Sequence, residues 1–165
     1  MCSGVTFAKF ASLVRLDSVN VIGPGWVTHV KQVFEASDVA AVTVPMYFYY
    51  LPLQEENYFA EHVFKSALHK YDKQFPFLAG NNMAIRASSW NAVKDETCHV
   101  KNIHEDIDLA IHLNMNGFKL KYDGGIRSGT SARRFDDPPI KFMKYIKMMT
   151  RTFKHHQLNP VGAHV

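Results

Sequence analysis

The chain has 165 residues, 47% of them hydrophobic and 21% charged, an ordinary soluble composition long enough for one domain with a real core. Two cysteines, Cys2 and Cys98, are too few and too distant for a disulfide framework or a paired metal knuckle, which favours a reducing compartment. The net charge of +4 excludes a basic surface spread over the domain: Lys141, Lys144, Lys147, Arg151 and Lys154 all follow the last acidic residue, Asp137, and the remainder is slightly acidic.

No run approaches the roughly 18 apolar residues of a membrane-spanning helix. The nearest candidate, Val39 to Leu53, is broken by Pro45 and Pro52, and Lys9 divides the only apolar stretch near the N-terminus, so no secretory signal is read and a cytoplasmic protein is expected.

In chain order, Phe10 to Leu16 reads as a buried strand whose C-terminal end carries Asp17, a position where open α/β sheets bind ligands. Gly23-Pro24-Gly25 turns the chain into a helix from Trp26, with Trp26, Val30, Val33 and Phe34 on one face. Val39 to Val44 is the next strand. Tyr47-Phe48-Tyr49-Tyr50 is an aromatic run that either lines a cleft or packs in the core. From Asn57 to Tyr71, apolar positions at three- and four-residue intervals predict an amphipathic helix, and Pro76 ends that region.

Phe77 to Arg86 reads as a strand interrupted by Gly80-Asn81-Asn82, poor strand chemistry that suggests a bend where backbone approaches a ligand. Ser88 caps a short helix through Trp90 to Val93. Cys98, His99 and His104 are too sparse to signal zinc, and the two histidines read as solvated.

Three carboxylates, Glu105, Asp106 and Asp108, then open an amphipathic helix that carries Ile107, Leu109, Ala110, Ile111 and Leu113 and ends at Gly117. At a helix N-terminus, unpaired N–H groups and the dipole favour ionised carboxylates, so at least one is an available base. Asn102-x-x-Glu105 also resembles a capping box, which would make the acids structural. Phe118 to Tyr122 alternates as a half-exposed strand closed by Asp123-Gly124-Gly125. The alternation of strand and helix predicts an α/β fold with a mostly parallel sheet flanked by helices.

Leu78 to Arg86, then His104-Glu105-Asp106, then Gly117 to Asp123 and Thr130 to Phe135 form an ordered set. Together they resemble the second half of a family 2 glycosyltransferase with a GT-A (Rossmann-like) fold, from about Phe10 to the C-terminus. The resemblance implies inverting transfer of a sugar from a nucleotide-sugar donor to a hydroxyl acceptor, with Asp106 as general base and Glu105 as its companion. It places Gly80 and Asn81 at the acceptor, Arg133 and Arg134 near the leaving diphosphate, and Asp17 on a divalent metal, manganese or magnesium. Val19 stands where the second metal carboxylate of the family belongs, leaving one charged ligand. The family's early nucleotide-binding units have no counterpart here. The expectation is therefore a partial, truncated GT-A domain over residues 1–138, its nucleotide-binding N-terminal half largely missing, followed by a basic amphipathic helix and tail over 139–165.

The alternative is a non-catalytic domain of this kind that binds a sugar or a protein partner. A glycoside hydrolase is a weak reading, because adjacent acids do not straddle a glycosidic bond at the roughly 5–9.5 Å required. The C-terminal helix, from about Pro139 to Lys154, has a basic stripe and an apolar one of Phe142, Ile146, Met149 and Phe153. Either the apolar stripe packs on the domain, or the helix lies on an anionic membrane surface as a peripheral element at the inner face.

Overall fold

The computed structural model describes residues 11–71, 77–132 and 139–157. Seven short strands and five helices alternate along them: β1 (Ser12–Leu16), β2 (Val21–Ile22), α1 (Trp26–Ala36), β3 (Ala41–Thr43), β4 (Met46–Phe48), α2 (Gln54–Tyr71), β5 (Asn82–Arg86), α3 (Ala87–Val93), α4 (Glu105–Met115), β6 (Leu120–Tyr122), β7 (Ser128–Thr130) and α5 (Pro139–His155). The α/β class is as expected. The sheets are mixed, however, not mostly parallel: in the four-stranded sheet β1-β5-β3-β6 only β3 and β6 run parallel, and in β2-β7-β4 only β4 and β7 do.

The hydrophobic periodicities explain most of the packing. On α1 the residues Trp26, Val30, Val33 and Phe34 are all buried and meet Val42 of β3 and Val44 just after it, each worth about 1.5–3 kcal/mol of transfer free energy. On the other side, Trp90 and Val93 of α3 and Leu109, Ala110 and Leu113 of α4 pack on Ala41, Met83 and Ile85. α4 stops where Gly117 adopts φ of 75°, a left-handed conformation that a side chain disfavours.

Two polar side chains lock the sheets. Asn82 is fully buried, and its amide donates to the Val44 carbonyl at 3.2 Å and to Ser128 Oγ at 2.6 Å, joining one sheet to the other. Arg86 donates to the carbonyls of Phe34, Ser37 and Val39, which places a fixed positive charge at the C-terminal end of α1.

Several local expectations shift. β1 is a half-buried edge strand rather than a buried one, with Val14 47% exposed. α3 begins one residue before Ser88 and has no side-chain cap. The aromatic run is neither core nor free: Tyr47 lies under the Arg127 guanidinium, Tyr49 donates to the Val19 carbonyl at 3.0 Å, and Tyr50 is exposed. On α5, Met149 and Phe153 are half-buried, Ile146 is exposed, and the face turned inward includes the buried Thr152, which accepts the His104 N–H at 2.8 Å. The side chain of Phe142 lies outside the described residues. No helix among the described residues is long and apolar enough to cross a membrane.

Candidate functional site

The antiparallel register of β1 on β5 sets Leu16 opposite Asn82, so the chain leaving β1 runs beside the chain entering β5. Asp17 N–H consequently donates to the Asn81 carbonyl at 3.3 Å. The Asn20 amide donates to that same carbonyl, and its oxygen accepts from Thr130 Oγ1 at 3.2 Å. A tight turn, closed by Asn82 N–H on the Ala79 carbonyl at 2.8 Å, pushes Gly80 outward against the first turn of α4.

There Gly80 meets the carboxylate of Asp106. Its N–H donates to that carboxylate, and a β-carbon at Gly80 would overlap the carboxyl group itself. Arg15, on β1, reaches across to the same acid: one guanidinium nitrogen pairs with Asp106 Oδ1 and another lies 3.4 Å from Glu105 Oε2. The other Asp106 oxygen lies 3.8 Å from His104 Nδ1. Thus Asp17, Gly80, Asn81, Glu105 and Asp106, spread over 90 positions of sequence, share one patch. Arg133 and Arg134 lie outside the described residues.

At Asp106, burial works against the ionisation that a helix terminus favours. Burial pushes the Asp106 carboxyl above its ordinary value and Glu105 adds to that, while Arg15, His104 and the Gly80 N–H pull it down without cancelling the rise. Its side chain is 15% exposed against 58% for Glu105, so one carboxylate is enclosed and its neighbour open to solvent. The capping box does not form: His104 precedes the helix without a side-chain cap, and Asn102 sits in a left-handed turn with φ of 66°.

A divalent cation in the family's position would need oxygens beyond those found. Asp17 supplies one carboxylate, the Val19 carbonyl already accepts from Tyr49, and both ends of the Asn20 amide are engaged. A hard cation takes about six to eight oxygens, so these residues alone do not make its site.

Three features escape the sequence reading. Arg15 lies on β1 only two residues before Asp17, a proximity in sequence that was available as a signal. His104 is buried, not solvated, whereas His99 is exposed as expected. Asp108 is 2% exposed and faces Cys98, His112 and His156. A cleft of about 330 Å³ opens along this side of α4, bordered by Cys98, Asn102, Ile103, Glu105 and Asp108. Burial, then the adjoining Asp108, pushes the Cys98 thiol up to about 11.

The contact between Gly80 and Asp106 is separable by mutation. Gly80→Ala is expected to destabilise the fold by about 1–3 kcal/mol, the ordinary cost of overpacking, and most of that loss should vanish in an Asp106→Ala background. Denaturant unfolding of the double-mutant cycle measures it; equal losses in both backgrounds would show that the acid is not the obstacle.

A search of curated proteins finds no match to the chain. A family model does match: the one described as glycosyltransferase like family 2, over residues 1–154. That span carries β1, the Gly80 turn and the Glu105-Asp106 helix together, and the chain belongs to this family, whose members have a glycosyltransferase-type function.

Proposed function

We propose that the chain supplies the acceptor side of an inverting glycosyltransferase site, in which Asp106 removes the proton from an acceptor hydroxyl. The observation that supports this most directly is the convergence of the Gly80 main chain and the Arg15 guanidinium on one enclosed carboxylate. A base must be ionised yet basic enough to take the proton, and burial opposed by a cation tunes it between those demands.

The bonds balance as follows. The acceptor oxygen passes its proton to Asp106 and attacks the anomeric carbon of a nucleotide-sugar; the bond from that carbon to the nucleoside diphosphate breaks on the opposite face, and the diphosphate leaves with the electron pair. Gly80 and Asn81 border the acceptor, Glu105 orients or screens it from the open side, and the family resemblance gives the departing negative charge to the cations Arg133 and Arg134, which lie outside the described residues. The single carboxylate at Asp17 also favours a second reading, a domain that binds a sugar or protein partner without turnover.

Turnover with a panel of nucleotide-sugars separates the two. Asp106→Asn should lower transfer by about 10²-fold or more while leaving the fold intact, and wild-type activity should fall on the acid side at a pH above the ordinary aspartate value, because the raised pKa makes protonation, and loss of the base, begin at higher pH. Full activity in Asp106→Asn would remove it from the reaction, and absence of transfer with every donor would favour the binding domain.

The acceptor and the C-terminal helix are linked in a further part of the proposal: α5 rests on an anionic membrane at the inner face, where a lipid-linked hydroxyl is presented to the site. What supports it is the first half of α5, where Ile140, Met143 and Ile146 are exposed beside the exposed Lys144 and Lys147. Each cation near such a surface contributes about 1 kcal/mol. Cosedimentation should show binding to anionic vesicles that salt weakens and that neutral vesicles lack; equal binding to both, or none, leaves α5 a packing element.

A further inference from the structure

Independently of the sugar-transfer reading, the opposite side of α4 holds four metal-ligating side chains facing one another. Cys98 from the α3–α4 loop, Asp108 and His112 from α4 and His156 after α5 each present one ligand atom, all within 4.8 Å of one another. Cys98 Sγ is 3.7 Å from His112 Nε2 and 3.9 Å from His156 Nε2, while Asp108 Oδ1 is 3.7 Å from His112 Nε2 and 2.7 Å from His156 Nε2. Ordinary zinc–ligand lengths in a tetrahedron imply edges of roughly 3.3–3.6 Å. Three of these four separations therefore lie close to the edges of such a site, and the fourth, the His156–Asp108 hydrogen bond, would open on closing around an ion.

The surroundings are built as well. The Cys98 N–H holds the other Asp108 oxygen at 2.9 Å, leaving Oδ1 aimed at the three remaining ligands. Glu96 Oε2 lies 3.5 Å from His112 Nδ1, so the nitrogen turned away from the centre faces a carboxylate, the arrangement that orients histidine ligands. The side chains of Asp108, His156 and His112 are 2%, 7% and 12% exposed, unlike a chance group of surface acids.

We infer that Cys98, Asp108, His112 and His156 bind one zinc-class cation and clasp the C-terminal helix to the helix that carries Glu105 and Asp106. Sulfur and imidazole donors select zinc over the hard cations of phosphate chemistry. Four protein ligands leave no open position, so the site is structural. It lies at the C-terminal end of α5, where the helix dipole favours a cation, and it adds to the bond between Thr152 and the His104 N–H a second tie between α5 and the start of α4.

The test uses the full chain, stripped with EDTA and titrated with Co²⁺ and then Zn²⁺. About one equivalent of cobalt should produce the visible bands of a tetrahedral ion with a thiolate-to-cobalt transition in the near ultraviolet, and zinc should abolish them and raise the melting temperature. The spectrum should persist in Cys2→Ser and in His99→Gln, neither of which is one of the four proposed ligands, and disappear in Cys98→Ser and His156→Gln. A wild-type chain that gives no thiolate–cobalt band overturns the inference without any variant, as does a band that survives Cys98→Ser or is lost in Cys2→Ser.

Discussion

The antiparallel pairing of β1 with β5 is the constraint on which the site depends. Because Leu16 faces Asn82, the two ends that leave this ladder, Asp17 and the Gly80-Asn81 turn, emerge side by side. A parallel pairing, or a shift of one residue, would separate them and turn Arg15 to the other face. The glycine completes the arrangement. Only a residue without a β-carbon lets the turn approach α4 closely enough to donate to Asp106, and that contact encloses the acid which Arg15 neutralises.

Two aspartates in one helical turn meet opposite surroundings. Asp106 faces the sheet edge, an arginine and a main-chain N–H, the setting to which we assign proton exchange; Asp108 points across the helix into sulfur and imidazole, the setting to which we assign a cation. One consequence is that substitutions at the two positions should act through different quantities, catalysis for the first and stability for the second. Another is mechanical: the proposed clasp at Asp108 would restrain the helical turn from which Asp106 projects, so the order of the C-terminal helix would bear on the geometry of the proposed base.

The helices were legible because their apolar positions recur with a helical period: α1 begins at Trp26 and buries the four residues that the pattern nominates, and α4 ends at Gly117. Strand direction was not legible, since it depends on pairings between distant segments, and strands of two or three residues such as Val21–Ile22 and Ser128–Thr130 carry no usable pattern. Composition read locally also misplaced polar groups. His104 appeared to be a solvated ring, and although His112 stands at the helical i,i+4 spacing from Asp108, the other residues around these two groups, Cys98, His156 and Thr152, lie at distances in sequence that no spacing rule joins. Asp17, Gly80, Asn81 and Glu105-Asp106 were nominated through the order of their motifs, and the family match over residues 1–154 supports the glycosyltransferase-like region that contains them.

The central claim is that Asp106 is an enclosed, cation-tempered base. Its carboxyl titration, followed by carbon-13 NMR and assigned through the signal missing from Asp106→Asn, measures that directly. The midpoint should lie above the ordinary aspartate value of about 3.9, because burial outweighs the attraction of Arg15, and it should rise further in Arg15→Met, where the opposing charge is gone. A midpoint at or below the ordinary value, or one indifferent to Arg15, would contradict the account.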